Sequence, residues 1–165
     1  NGSATAYTIV RPPWVYGVEA PGNFMRLLGL VDSGLPLPFA NARNKRTIVS
    51  IDNLIGLLVQ TLEHPGAKNR VFLATDGGTV VSTRQIVEVL REGMARPRRL
   101  FPIPIRFLGG CARLVGRDKL FSQLYGDLEI ADNSVSDILD WSPDEDTLSQ
   151  LKRVAEKYCR YRQSN

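Results

Sequence analysis

Three side chains have the types and settings needed to hold an anionic, ring-bearing ligand. Arg46 stands at the head of the β-branched stretch RTIVSI (46–51), where a guanidinium can grip a phosphate through two parallel N–H donors. It also reads as a surface cation. Phe39 lies in the proline-stiffened stretch LPLPFA (35–40), where its ring can pack on a flat base or fill a core. Asn23 sits at the start of an apolar-periodic run. There it can donate to a phosphate beside the first amides of a helix, or serve as a plain cap.

Covalent or acid–base chemistry has less support. The sequence contains no G-x-G-x-x-G, no P-loop and no G-x-S-x-G. Four places after Tyr7, Tyr16, Tyr125, Tyr158 and Tyr161 come Arg11, Ala20, Glu129, Arg162 and Asn165, so there is no Tyr-x-x-x-Lys pair. Asp144 and Asp146 read as negative charges facing the dipole of a following helix. Cys111 and Cys159 form no C-x-x-C, and His64 is the single histidine. That excludes the common zinc spacings and suits two buried thiols in a reducing cytosol.

These groups need a scaffold. The chain has 165 residues, 43% hydrophobic and 23% charged, enough for one domain with a sizeable core. No apolar run approaches a membrane span of about 20 residues, and the opening residues show no basic-then-apolar segment, so no signal peptide is expected in them. The net charge of +4 and pI of about 9.3 suit a mildly basic solvated surface. They also suit attraction for anions. The cations are dispersed, which argues against nucleic acid.

Along the chain, strands and helices alternate. Thr8-Ile9-Val10 predicts a buried strand stopped at Pro12-Pro13. Phe24, Leu27, Leu28 and Val31 have helical spacing and Gly34 follows as a stop. LPLPFA reads as extended, and RTIVSI as a second strand. Asp52 reads as the N-cap of a helix ended by Pro65-Gly66. RVFLAT (70–75) is a third strand, and Ser82 with Gln85 forms a capping box for a helix with Ile86, Val89 and Leu90 inward. RPRRLFPIP (96–104) is extended. Short helices are expected around Ile105 to Val115 and Lys119 to Leu124. DLEIADNS predicts a short strand and turn, and VSDILDW one or two helical turns. A last helix from about Thr147 to Tyr161 turns Leu148, Leu151, Val154, Ala155 and Tyr158 to one side.

Five stretches, TIVRPPWVYG, PGNFMRLLGLVDSGLPLPF, NKRTIVSIDNLIGLLVQTLEHP, VFLATDGGTVVSTRQIVEVL and ADNSVSDILDWSP, resemble in order and spacing the C-terminal part of an extended short-chain dehydrogenase/reductase. Within that group the sequence is similar to the NAD-dependent epimerase/dehydratase family of nucleotide-sugar enzymes. The resemblance implies an α/β fold: the last strands of a Rossmann-like sheet plus a small mixed α/β substrate-binding lobe. It implies that residues 1–165 form a single fragment without the N-terminal cofactor-binding half. It places Pro12 and Pro13 beside the nicotinamide of NAD or NADP, and Asn23 at the sugar-nucleotide phosphates. It puts Leu37 and Phe39 on the strand lining the base pocket, and Arg46 on the diphosphate. Trp14 stands where many members carry Asn, and Val135 where many carry Lys.

The expected parent is a cytoplasmic NAD(P)-dependent epimerase or dehydratase acting on a UDP- or dTDP-hexose, with its catalytic residues outside these 165. A 4-keto-sugar reductase of the same family and a non-catalytic sugar-nucleotide-binding module are the alternatives. The expected partner is the nucleotide-sugar substrate, with no nucleic acid and no membrane. Self-association through an exposed sheet is expected from a sheet cut from its neighbours.

Overall fold

The computed structural model describes residues 5–18, 20, 22–104 and 124–164. The two helices expected between Ile105 and Leu124 fall, apart from Leu124, outside the described residues, as does Cys111.

The opening stretch makes two strands where one was expected. β1 (Thr8–Arg11) pairs in parallel with β4 (Arg70–Leu73), with Thr8 facing Arg70 and Arg11 facing Leu73. Beyond Pro12-Pro13 the chain resumes as β2 (Trp14–Tyr16), parallel to β3 (Arg46–Ser50), with Trp14 facing Ile48 and Tyr16 facing Ser50. Proline lacks the amide that a ladder needs, so pairing must lapse there. The aromatic and β-branched residues that follow keep the backbone extended, and the chain changes partner instead of stopping. β5 (Val80–Val81) adds to β3 antiparallel. DLEIADNS contributes a single bridge from Leu128 to Arg46 rather than a strand.

The helices are α1 (Asn23–Asp32), α2 (Ile51–Glu63), α3 (Thr83–Gly93), α4 (Ser134–Leu139) and α5 (Thr147–Ser164). A 3-10 turn at Pro65–Ala67 follows α2. The capping box of α3 is present, with the Ser82 side chain bonded to the Gln85 amide and Gln85 reaching back. The cap of α2 is Ser50, not Asp52. Its Oγ accepts from the Asn53 amide at 3.0 Å, and Asp52 lies in the first turn. Strand and helix thus meet with no intervening loop. Asp146 caps α5, accepting from the amides of Leu148 and Ser149. In α5, Leu148 is 36% exposed and Gln150 is buried in its place, because the packed stripe centres on Leu151, Val154 and Tyr158.

All five β3 residues are buried, since β3 lies between two apolar clusters. Ile48 points into the larger, with Tyr16, Phe24, Leu28, Ile86, Leu90 and Leu151. Val49 points into the smaller, with Leu57, Phe72, Ala74 and Leu139. Neighbouring strand residues face opposite sides, and this is how one strand serves both. α3 and α5 touch at Gly93, where an added Cβ would come within 2.7 Å of the Ala155 Cβ. Arg91, fully buried, ties the two extended stretches together by donating to the carbonyls of Pro97, Arg99 and Leu35. Backbone bonds Leu37 N to Arg99 O and Phe101 N to Leu37 O complete that seam. Apolar surface stays open on β1 and β4, where the register partners Ile9 and Val71 are 41% and 45% exposed, and on α2, where Leu62 is 86% exposed.

Candidate functional site

Arg46 begins β3 and is 5% exposed. Its Nη1 donates to the carbonyl of Gly126 at 3.0 Å, and its guanidinium carbon lies 5.5 Å from the centre of the Trp14 ring. Such a cation–π contact is worth roughly 0.5–2 kcal/mol. Burial pushes the Arg46 pKa down, while the charge of Asp127 pushes it up. Trp14 in turn meets Phe24 edge-on at 5.8 Å. The sequence thus places a cation, an indole and the start of α1 in contact.

The other expected residues surround this cluster at different depths. Asn23 is half-buried and is the first residue of α1, the cap position being Gly22. Leu37 and Phe39 are core residues, 2% and 3% exposed. The Phe39 ring packs on Tyr125 at 5.8 Å, and the Tyr125 hydroxyl donates to the Pro38 carbonyl. Pro12 is exposed and Pro13 half-buried where β1 hands over to β2. The structure therefore brings Arg46 and the start of α1 together through Trp14. Phe39 lies behind, as a floor under Tyr125.

The opposite end of the β2–β3 pair holds features that residue spacing did not reveal. Asp76, 2% exposed, accepts from the Tyr16 hydroxyl at 2.6 Å, the Asn53 side-chain amide at 2.7 Å and the Ser50 amide at 3.0 Å. Burial pushes its carboxyl up, and these three donors pull it back part of the way. Burial, followed by the neighbouring Asp76 charge, pushes the Tyr16 phenol up as well. One carboxylate thereby fastens β2, β3 and α2. In the sequence Asp76 stands in a D-G-G turn, and nothing local marks it as buried.

Over this network open two adjoining clefts, each of about 200 Å³. Asp52, Gln150 and Arg153 belong to both. One is completed by Trp141, Ser142 and Asp144 among others, the second by Tyr16, Gly17, Lys157 and Arg160 among others. Neither is lined by Asn23, Leu37, Phe39 or Arg46. Among the described residues no three His, Cys, Asp or Glu side chains cluster as metal ligands, and no helix is long and apolar enough to cross a membrane.

Comparison with known proteins locates the chain. No family model matches it. A UDP-glucose 4-epimerase from Vibrio cholerae is 35% identical over 157 residues, which is 94% of this chain and 48% of that protein. Among solved structures, a human epimerase family protein with NADPH aligns over 94% of this chain and 50% of its own, with a TM-score of 0.74 at 18% identity. A UDP-glucose 4-epimerase from Thermotoga maritima with UDP-glucose gives 0.66 at 16% identity, over 94% and 47% of the two chains. A UDP-glucuronic acid 4-epimerase from Bacillus cereus, with UDP-glucuronic acid and NAD, gives 0.65 at 20% identity, over 93% and 45%. Strands in parallel pairs, an Arg-headed strand and its helix, and 35% identity along nearly the whole chain lead to one conclusion: the chain is a relative of the NAD-dependent epimerase/dehydratase family of extended short-chain dehydrogenases/reductases, and it spans about half the length of the relatives it matches.

Proposed function

We propose that this chain is the substrate-binding portion of an NAD(P)-dependent nucleotide-sugar epimerase or dehydratase, acting on a UDP- or dTDP-hexose. The observation that carries the reading is the Arg46 guanidinium, held in place by the Gly126 carbonyl and the Trp14 ring beside the first turn of α1. A cation fixed before the ligand arrives loses little entropy on binding. A helix start adds amides that favour a phosphate. Arg46 and Asn23 face the diphosphate in this reading. Leu37 and Phe39 shape the base pocket from behind, leaving the half-exposed Tyr125 and Trp14 rings nearer the ligand.

Pro12 and Pro13 offer an apolar edge without amide donors where β1 ends. That suits one face of a flat ring and offers nothing to the charged parts of a dinucleotide, so most of the cofactor would be held outside these residues. When bound, NAD(P) would exchange a hydride with the sugar. No residue of this chain is assigned to proton transfer in that step, because the sequence has no Tyr-x-x-x-Lys pair.

Calorimetric titration of the chain with UDP tests the reading. The wild type should bind, uridine should bind at least about tenfold more weakly, and Arg46→Met should lose at least about tenfold, while Arg46→Lys retains part. No heat from the folded wild type, or unchanged affinity in a folded Arg46→Met, would contradict it.

A further inference from the structure

The paired clefts lie where ligands tend to bind in α/β sheets, outside the carboxyl ends of parallel strands. β2 ends at Tyr16 and β3 at Ser50, and both residues line the second cleft. Gly17 permits a tight floor there. Its φ is 155° and an added Cβ would sit 2.6 Å from Ile51 Cγ2, so only glycine lets the chain pass this close to the start of α2.

The two clefts differ in chemistry. The second is walled by Arg153, Lys157 and Arg160, which fall on one side of α5 at spacings of four and three. No carboxylate among the described residues is paired with Arg160. The first carries the half-buried Trp141 ring, with Asn53, Asp144 and Glu145, and Asp52 stands where the two clefts meet. Arg153 spans the junction, bonded to Glu145 at 2.7 Å and 3.8 Å from Asp52. A plain dianion would meet carboxylates at the first end, and a neutral polyol would bring no counter-charge to Arg160 at the second.

Gln150 lines both clefts and is 2% exposed. Its Nε2 donates to the Glu145 carbonyl at 2.8 Å, which fixes which end of the amide is oxygen. Its Oε1 has no hydrogen-bond partner, and neither does the buried Thr147 Oγ1 one turn earlier. Buried acceptors are nearly always satisfied, so an unmet one beneath a cleft points to a missing donor.

From these features we infer that the double cleft is a binding site for a phosphorylated monosaccharide. The phosphate lies toward Lys157, Arg160 and the first amides of α2. The sugar ring lies against Trp141, with its hydroxyls donating to Gln150 Oε1 and the carboxylates. The site is separate from the Arg46 cluster and stands or falls independently of it.

Titration of the ¹⁵N-labelled chain with glucose 1-phosphate, inorganic phosphate and glucose, read by amide and indole shifts, tests this. Glucose 1-phosphate should shift Tyr16–Val18, Ile51–Asn53 and the Trp141 indole saturably, and bind at least about tenfold more tightly than either half alone. Arg160→Glu, an exposed change that leaves the fold intact, should weaken it by about tenfold or more. Gln150→Met should weaken glucose 1-phosphate and leave inorganic phosphate unchanged. No saturable shift at these amides, equal affinity for inorganic phosphate, or shifts confined to Trp14 and Asn23 would overturn the inference.

Discussion

The two ends of the short β2–β3 ladder are built in opposite ways. At the Arg46 end, charge is tucked in: Arg46 is 5% exposed, with its guanidinium bonded to Gly126 and beside the Trp14 ring. At the Ser50 end, charge is divided. Asp76 is sealed beneath three donors, while Asp52, Arg153, Lys157 and Arg160 stand around open clefts. Position on the strand explains the contrast. The amino end of β3 is crossed by the Leu128 bridge and the segment leading to it, which hold its backbone on that side. The carboxyl end turns at once into α2, and a strand that becomes a helix without a loop leaves a notch.

The largest effect should come from Asp76→Ala. Tyr16, Asn53 and Ser50 would each lose an acceptor, at a combined cost of about 3 kcal/mol or more by urea denaturation. Asp76→Asn, which keeps one acceptor oxygen, should cost less. A loss under about 1 kcal/mol for alanine would show that the Ser50 end does not depend on this carboxylate.

Next is Arg46→Met, expected to cost about 2 kcal/mol through the stranded Gly126 carbonyl and the lost indole contact. Trp14→Phe should cost less, since a smaller ring still covers the cation. Equal losses would place the stability in Trp14 packing rather than in the charge.

A third test uses a site remote from both ends. Asp32 is buried between Arg96 and Arg162 and joins α1 to the last turn of α5. Burial would raise its pKa, but the hydrogen bonds and charges of the two arginines outweigh that and hold it below its ordinary 3.8. The folded value is depressed, so the stabilisation is complete at neutral pH and is lost as the pH falls below 3.8. Asp32→Asn should cost about 1 kcal/mol at pH 7, given half-exposed partners, and almost nothing in strong acid. A constant difference across that range would remove the ion pairs from the account.

The smallest effect belongs to Gln150→Met. Losing the bond to Glu145 and removing an unmet buried oxygen should nearly cancel, leaving a change within about 0.5 kcal/mol. A loss above about 2 kcal/mol would mean that Oε1 is satisfied in solution.

Local signals were legible where the physics is local. The capping box at Ser82, the spacing in α1 and the β-branched run of β3 all appear as read, and the order of motifs pointed to the right family. Features set by distant partners were not. Whether Asp52 or Ser50 caps α2 depends on where β3 stops pairing. Gln150 is buried and Leu148 exposed because of how α5 lies on α3. Asp76 is a turn residue by sequence and becomes a clasp only when β2 and β3 come together. The enclosure of Phe39 depends on Tyr125, 86 positions away in the chain.

The central claim is that a nucleotide diphosphate binds at the Arg46 end. Amide shifts of the ¹⁵N-labelled chain during titration with UDP test it most directly. Saturable shifts are expected at Trp14, Asn23 and Arg46, and they should vanish in a folded Arg46→Met variant. Shifts that persist in that variant, or that appear only around Gly17 and Ile51, would contradict it.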